Sequence, residues 1–244
     1  MTEPAAGSPP ASRPASPAAL PEPEAILFDL DGTLVRTVGL RIEAWLETFA
    51  EVGLPAEQDH VAQLIGADGR RLAQEVAAVA GRRLDDDRAE AIDRRAGEIY
   101  GRLNTDPQPH AGARALLAAL EASDLPWAIA TSSRPEQVQA SIDALGLSSP
   151  AHIVDGSHVG QAKPAPDLLL LAAEQLGVSA RRCWYVGDST WDMRAARAAG
   201  MPAIGVATGA VSADALREAG ALTVTTLGRL LKELRRRGHV AGEG

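Results

Sequence analysis

Short apolar runs recur along this chain, each breaking off at aspartate, glycine, serine or threonine: AILF before Asp29, then Trp127–Thr131, His152–Gly156, Cys183–Val186 and Ala203–Val206. Runs of this length bounded by turn residues read as strands buried on both faces. Between them lie segments of helical period at Ala115–Ala122, Glu136–Leu145, Pro166–Leu176 and Asp192–Ala199. The alternation predicts an α/β fold, a Rossmann-like parallel sheet with helices on both faces. The interval Val38–Leu103 has a different rhythm. Ile42, Trp45, Leu46 and Phe49, and then Leu72, Val76 and Val79, recur at steps of three and four, with no strand alternation before Pro107 and Pro109. That predicts a small inserted α-helical domain over 37–109, interrupting a core built from 25–36 and 110–232. Residues 1–24, rich in Pro, Ala and Ser, predict a disordered tail, and 233–244 a flexible C-terminal tail.

Where the first run ends, Asp29 and Asp31 stand one residue apart. Alternation places both on one side at the carboxyl end of a buried strand. Carboxylates so close repel one another and lose hydration, so a cation is expected beside them. Asp31-Gly32 is also a common turn dipeptide, but a turn does not explain Asp29, which precedes it. In open parallel sheets ligands bind beyond the carboxyl ends of the strands. Four such ends carry polar residues here: Asp29–Thr33, Thr131–Ser133, Asp155–Lys163 and Gly187–Asp192.

Composition narrows the chemistry. The 244 residues are 45% hydrophobic and 23% charged, which allows a sizeable core. Formal net charge is −8, so no general basic surface exists to follow a phosphate backbone, and no nucleic-acid partner is expected. A single cysteine, Cys183, excludes an intramolecular disulfide framework and a thiolate zinc cluster, and it reads as a buried strand residue. No stretch is apolar enough for a signal peptide or a membrane span, so a cytoplasmic protein without membrane contact is expected, as monomer or homodimer. His110, His152 and His158 lack metal-triad spacing, and Asp85–Asp87 reads as a helix start.

Four motifs in order, DLDGT, ATSS, AKPAPD and GDSTWD, resemble those of the haloacid dehalogenase (HAD) superfamily. The resemblance implies that Asp29 is a nucleophile forming an aspartyl-phosphate, with Asp31 as general acid and then general base. It implies that the Thr131 hydroxyl and the Ser132 amide bind the transferring phosphoryl group and that Lys163 brings a positive charge to it. It also implies that Asp188, with Asp29, Asp31 and Asp192, holds Mg2+, a hard cation suited to oxygen ligands. Asp192 would act directly or through water; its alternative is a helix-start residue. Aspartate at position 31, in the motif's second acidic place, implies phosphomonoester hydrolysis or phosphosugar mutase chemistry.

The helical insertion resembles the cap of the phosphoglycolate phosphatase and beta-phosphoglucomutase branch. Within it IGADGRRL, Ile65–Leu72, is the expected specificity loop, where Arg70 or Arg71 would meet a second anionic group; a solvated loop is the alternative. The insertion has no lysine, so a Schiff-base residue has no candidate there. Arg36 stands where close relatives carry an acidic residue, and Trp191 either shapes the entrance or packs on a core helix. The expected function is Mg2+-dependent hydrolysis of a small phosphorylated metabolite. The alternatives are a beta-phosphoglucomutase-like mutase or a non-catalytic phospholigand-binding protein.

Overall fold

The computed structural model describes residues 20–149 and 151–242. Six parallel strands form one sheet in the order β3-β2-β1-β4-β5-β6: β1 Ala25–Phe28, β2 Trp127–Ala130, β3 Ile153–Val154, β4 Cys183–Gly187, β5 Ala203–Val206 and β6 Thr223–Thr225. The chain proceeds from β1 outward through β2 and β3, then returns to the other side of β1 to lay down β4, β5 and β6. The direction of winding therefore reverses between β1 and β4, which opens a crevice at their carboxyl ends. Phe28 is in register with Ile129 of β2 and Val186 of β4, so Asp29, Thr131 and Asp188 leave the sheet at nearly one level.

Successive residues of β1 serve opposite faces. Ile26 and Phe28 join Trp184, Val186 and Ile204 in one apolar cluster, packed under α5 (Ala113–Glu121), α6 (Pro135–Leu145) and α10 (Leu227–Arg236). Ala25 and Leu27 join Tyr185, Ala128 and Cys183 under α7 (Asp167–Gln175), α8 (Thr190–Ala199) and α9 (Ala213–Ala219). Burial on both faces is why these strands read as unbroken apolar runs. The half-buried edge strand β6, with α9 before it, carries too little pattern to be read from TVT alone.

Four helices separate β1 from α5: α1 Val38–Glu51, α2 Gln58–Leu64, α3 Gly69–Val79 and α4 Asp86–Leu103. They share a core of their own around Phe49, Val61, Leu72, Val76 and Ile92, with Trp45 stacked on Phe49 at 5.4 Å. Asp85 caps α4, accepting from the Arg88 amide at 2.8 Å, so the acidic run is a helix start as its sequence suggests. Val79, which the periodicity would turn inward, is 73% exposed, because Val76 and Ala77 already fill that turn's inner face.

Both chain ends differ from the tails expected of them. The tail expected over 1–24 lies outside the described residues as far as 19. From residue 20 the chain is fastened: the Trp184 indole donates to the Pro21 carbonyl at 2.9 Å, and Arg237 pairs with Glu22 at 3.0 Å while lying over the Trp184 ring. Residues 233–242 are not free either, since Leu234 and Val240 are buried in the sheet's core cluster. In LKELRRR the two leucines, spaced i and i+3, are outnumbered by charged residues, so the sequence there carries little sign of burial. Among the described residues no helix is long and apolar enough to cross a membrane.

Candidate active site

Three carboxylates meet at the crevice. Asp29 follows β1, Asp188 follows β4, and Asp192 sits in the first turn of α8; all three are buried, and one oxygen of each lies within 4.8 Å of the others. Fully buried Lys163, from the loop before α7, donates to Asp29 and forms an ion pair with Asp192 at 2.8 Å. Three acids thus face one ammonium. Burial, followed by the charges of its neighbours, pushes the Asp188 carboxyl well above the ordinary carboxylate range. Asp29 is raised as well, by burial first, against the pull of Lys163. Burial works against the Lys163 ammonium, but Asp192 and Asp29 overcome it and hold its pKa above the ordinary value.

An all-oxygen donor set carrying surplus buried negative charge fits a hard divalent cation. Asp29 and Asp188 are the better placed to hold it. One Asp188 oxygen accepts from Thr33 at 2.6 Å, and the other faces Gly32 and Gly209, where a Cβ would intrude. Gly32 also has φ of +87°, which favours glycine. Asp192 is more heavily committed. It accepts from the Ser189 amide at 2.9 Å, the Ser189 hydroxyl at 2.6 Å and the Tyr185 hydroxyl at 2.8 Å, besides Lys163. It therefore serves as the helix-start residue that its position suggested while also anchoring Lys163.

Beside this cluster lies a cavity of about 70 Å³ between the sheet ends and the inserted helices, lined by Asp29, Asp31, Thr131, Ser132, Arg41 and Asp93 among others. Thr131 Oγ1 accepts from the Ser133 amide at 3.1 Å, leaving its own proton to donate elsewhere. The Ser132 hydroxyl is buried and has no partner, an orphan donor facing a cavity. Thr131 and Ser132 thus bring hydroxyls to the same cavity that Asp29 and Asp31 line.

Asp31 lies close by, but its oxygens are occupied. Thr37 at 2.7 Å and Tyr100 at 3.0 Å donate to one, and Arg41 at 2.8 Å and Ser133 at 2.7 Å to the other. Burial alone would raise this carboxyl; Arg41, with hydrogen bonds from Thr37 and Ser133, overrides it and holds the pKa below the ordinary range. The metal set expected from sequence included Asp31, whose side chain instead binds these four groups.

Arg70 and Arg71 lie apart from the cavity. The Asp68 carboxylate caps α3 through both amides and holds the Arg70 guanidinium at 3.1 Å, while Arg71 pairs with Glu75 at 2.7 Å. Both arginines line a wider groove outside, against residues 160–166. Trp191 packs against the inserted helices rather than on a helix of the core. It is buried in the core of the inserted helices and donates to the Gln63 carbonyl at 2.9 Å, joining the two parts of the molecule. Arg134 does the same from the core side, pairing with Glu90 at 2.6 Å and Asp93 at 3.0 Å of α4.

Arg41 and Tyr100 were not singled out from sequence. A signal existed: Arg41 precedes Trp45 and Thr48 by one and two turns, so a charge sits on the inward stripe of α1. Tyr100, likewise, is a polar-tipped residue on the buried stripe of α4.

Residues 23–200 match the model of a hydrolase family, the haloacid dehalogenase-like hydrolases. Phosphoglycolate phosphatase of Rhodospirillum rubrum is 34% identical over 209 residues, 83% of this chain and 86% of that protein. N-acetylmuramic acid 6-phosphate phosphatase of Pseudomonas aeruginosa is 31% identical over 180 residues, 72% of this chain and 78% of that protein. A hydrolase from Pseudomonas syringae, a solved structure, superposes with a TM-score of 0.82 at 32% identity, covering 87% of this chain and 98% of that one.

Proposed function

The chain belongs to the haloacid dehalogenase-like hydrolase family, and from that premise we propose that it is a Mg2+-dependent phosphatase of a small phosphorylated metabolite, working through an aspartyl-phosphate on Asp29. The observation that carries this reading is a small cavity lined by Asp29 together with Thr131 and Ser132, whose hydroxyl is an orphan, with Lys163 and two further carboxylates clustered on Asp29.

In this account the inserted helices act as a cap over the site, and the core is formed by 25–36 and 110–232. An Asp29 oxygen attacks phosphorus as the bond to the leaving alcohol breaks, and Asp31 gives that alcohol oxygen its proton. Asp31 then takes a proton from the water that attacks the acyl phosphate, restoring Asp29 and releasing phosphate. Thr131 and Ser132 donate to the phosphoryl oxygens, and Lys163 offsets the charge of Asp29 as a dianion approaches. Mg2+, held by Asp29 and Asp188 with Asp192 behind them, would supply charge neutralisation and orientation of the phosphoryl group. The size of the cavity and the phosphomonoester phosphatases among the relatives support a small monoester substrate.

A panel of sugar phosphates, phosphoglycolate and nucleotides tests this reading, each assayed with Mg2+ and with chelator. Phosphate release that needs the metal is expected. Rapid isomerisation of beta-glucose 1-phosphate with little release would assign a mutase instead, and binding without turnover of any ester would assign a phospholigand-binding protein.

A further inference from the structure

The turn between α2 and α3 forms one wall of the active-site cavity through Ile65, Gly66 and Ala67. The core grips that turn at three places. The Trp191 indole donates to the Gln63 carbonyl at 2.9 Å, Gly66 packs so closely on Ser189 that a Cβ would come within 2.7 Å of its hydroxyl, and the Asp68 amide donates to the Lys163 carbonyl at 3.0 Å. Trp191 is the largest side chain among these contacts. Although it belongs to α8 of the core, it is only 5% exposed and sits in the apolar cluster of the inserted helices. The guanidinium carbons of Arg71 and Arg194 lie 5.1 and 4.9 Å from its ring centre.

We propose that Trp191 is a positioning residue: by holding residues 63–68 on the core it fixes the cavity wall formed by residues 65–67, and so sets how large an alcohol the ester can carry. This rests on the phosphatase reading above and adds what limits the size of the substrate. Gln63 lies in the last turn of α2, where carbonyls lack a partner within the helix, so the indole satisfies a group that the helix leaves open. A helix of seven residues has little stability of its own and stays where its packing puts it. With the indole gone, only the Gly66 and Asp68 contacts hold the wall, and it yields outward. A short alcohol gains nothing from that space, while a long one gains room it otherwise lacks. Trp191 is not among the residues that line the cavity, so its effect reaches the substrate through the turn.

The test uses the full-length protein with Mg2+ and two esters of the same leaving-group chemistry but different length, ethylene glycol monophosphate and tetraethylene glycol monophosphate. The parent is expected to prefer the short ester in kcat/KM. Trp191→Leu keeps an apolar side chain in the cluster but loses the donor and the ring. In it that preference falls about tenfold, the worth of one buried hydrogen bond, and Trp191→Phe keeps part of it. Lower stability alone would scale both esters alike and leave the ratio unchanged. Hydrogen exchange, which needs no turnover, reads the turn directly: in Trp191→Leu the amides of residues 65–68 exchange on the order of tenfold faster while those of α4 keep their protection. A parent without preference for the short ester, an unchanged ratio, unchanged exchange at 65–68, or loss of protection throughout α4 overturns the role of Trp191 and leaves the phosphatase reading intact. Should Trp191→Leu not fold, Gly66→Ala, which presses on Ser189 from the cap side, has to lower the same ratio or the proposal fails. Absence of phosphate release by the parent from either ester and from p-nitrophenyl phosphate overturns the phosphatase reading and the size selection with it, while the exchange result still decides whether Trp191 holds the turn.

Discussion

Asp29→Asn is expected to reduce phosphate release on the order of 10⁴-fold or more, the scale on which loss of a nucleophile disables an enzyme, while leaving the protein folded and at least as heat-stable as the parent. Amide and carboxylate have nearly the same shape, so the β1 terminus and its contacts persist. What disappears is one of three negative charges that share a buried volume with a single ammonium. Burial already raises the Asp29 carboxyl in the absence of metal, so the folded state gains by its removal. Lys163 keeps Asp192 as its counter-charge. Paired assays of phosphate release and thermal unfolding in chelator check this. Activity near that of the parent would remove Asp29 from the chemistry, and a large drop in melting temperature would make it a structural residue.

Lys163→Met is expected to act in the opposite sense on stability. The ammonium is fully buried and touches both Asp29 and Asp192, so its removal leaves carboxylates without compensation, at a cost of about 3–5 kcal/mol. The sign of the pH dependence follows from carboxyls whose folded pKa values lie above their unfolded ones. Their contribution to stability is complete below the ordinary carboxylate range, near 3.8, and is lost as pH rises through the elevated folded values. Without Lys163 these values climb further, so the variant in chelator should be most stable on the acid side and lose stability steeply toward neutrality. Mg2+ opposes that fall, because binding to the folded state alone stabilises it. Unfolding midpoints measured from pH 4.5 to 8 with and without Mg2+ check the prediction. A variant whose midpoint does not change with pH would show that the carboxylates are not charge-coupled through Lys163.

The architecture was legible because the physics behind it is local. Strands buried on both faces have to be apolar throughout, and helices between them have to show one apolar side; AILF, WAIA, CWYVG and AIGV meet the first condition without interruption. The cluster at the strand ends was legible for a related reason. Asp29, Thr131 and Asp188 sit where apolar runs stop, a parallel sheet brings all such stops to one edge, and Lys163 lies in the loop that leaves that edge after β3. What the sequence did not show depends on side chains crossing from one part of the molecule to the other. The four donors on Asp31 come from residues 37, 41, 100 and 133, and no spacing rule links Tyr100 to a site 69 residues away. Arg70 shows the converse. IGADGRRL invited a contact with substrate, yet the Asp68 cap at the start of α3 is close enough to hold the Arg70 guanidinium against its own helix. Trp191, two residues after the helix-capping Ser189, belongs by sequence to the motif and by packing to the inserted helices.

On the proposed mechanism the phosphoryl group passes to Asp29 before water receives it. Asp31→Asn removes the acid of the first step and the base of the second, so with p-nitrophenyl phosphate, whose leaving group departs without a proton, the acyl phosphate should accumulate in that variant when it is mixed with this ester and Mg2+ and quenched in acid. Peptide mass mapping is then expected to find the mass of one phosphoryl group on the segment containing Asp29 and nowhere else. Phosphate release with no labelled protein at any quench time, or a phosphoryl group carried on a different residue, would contradict the account.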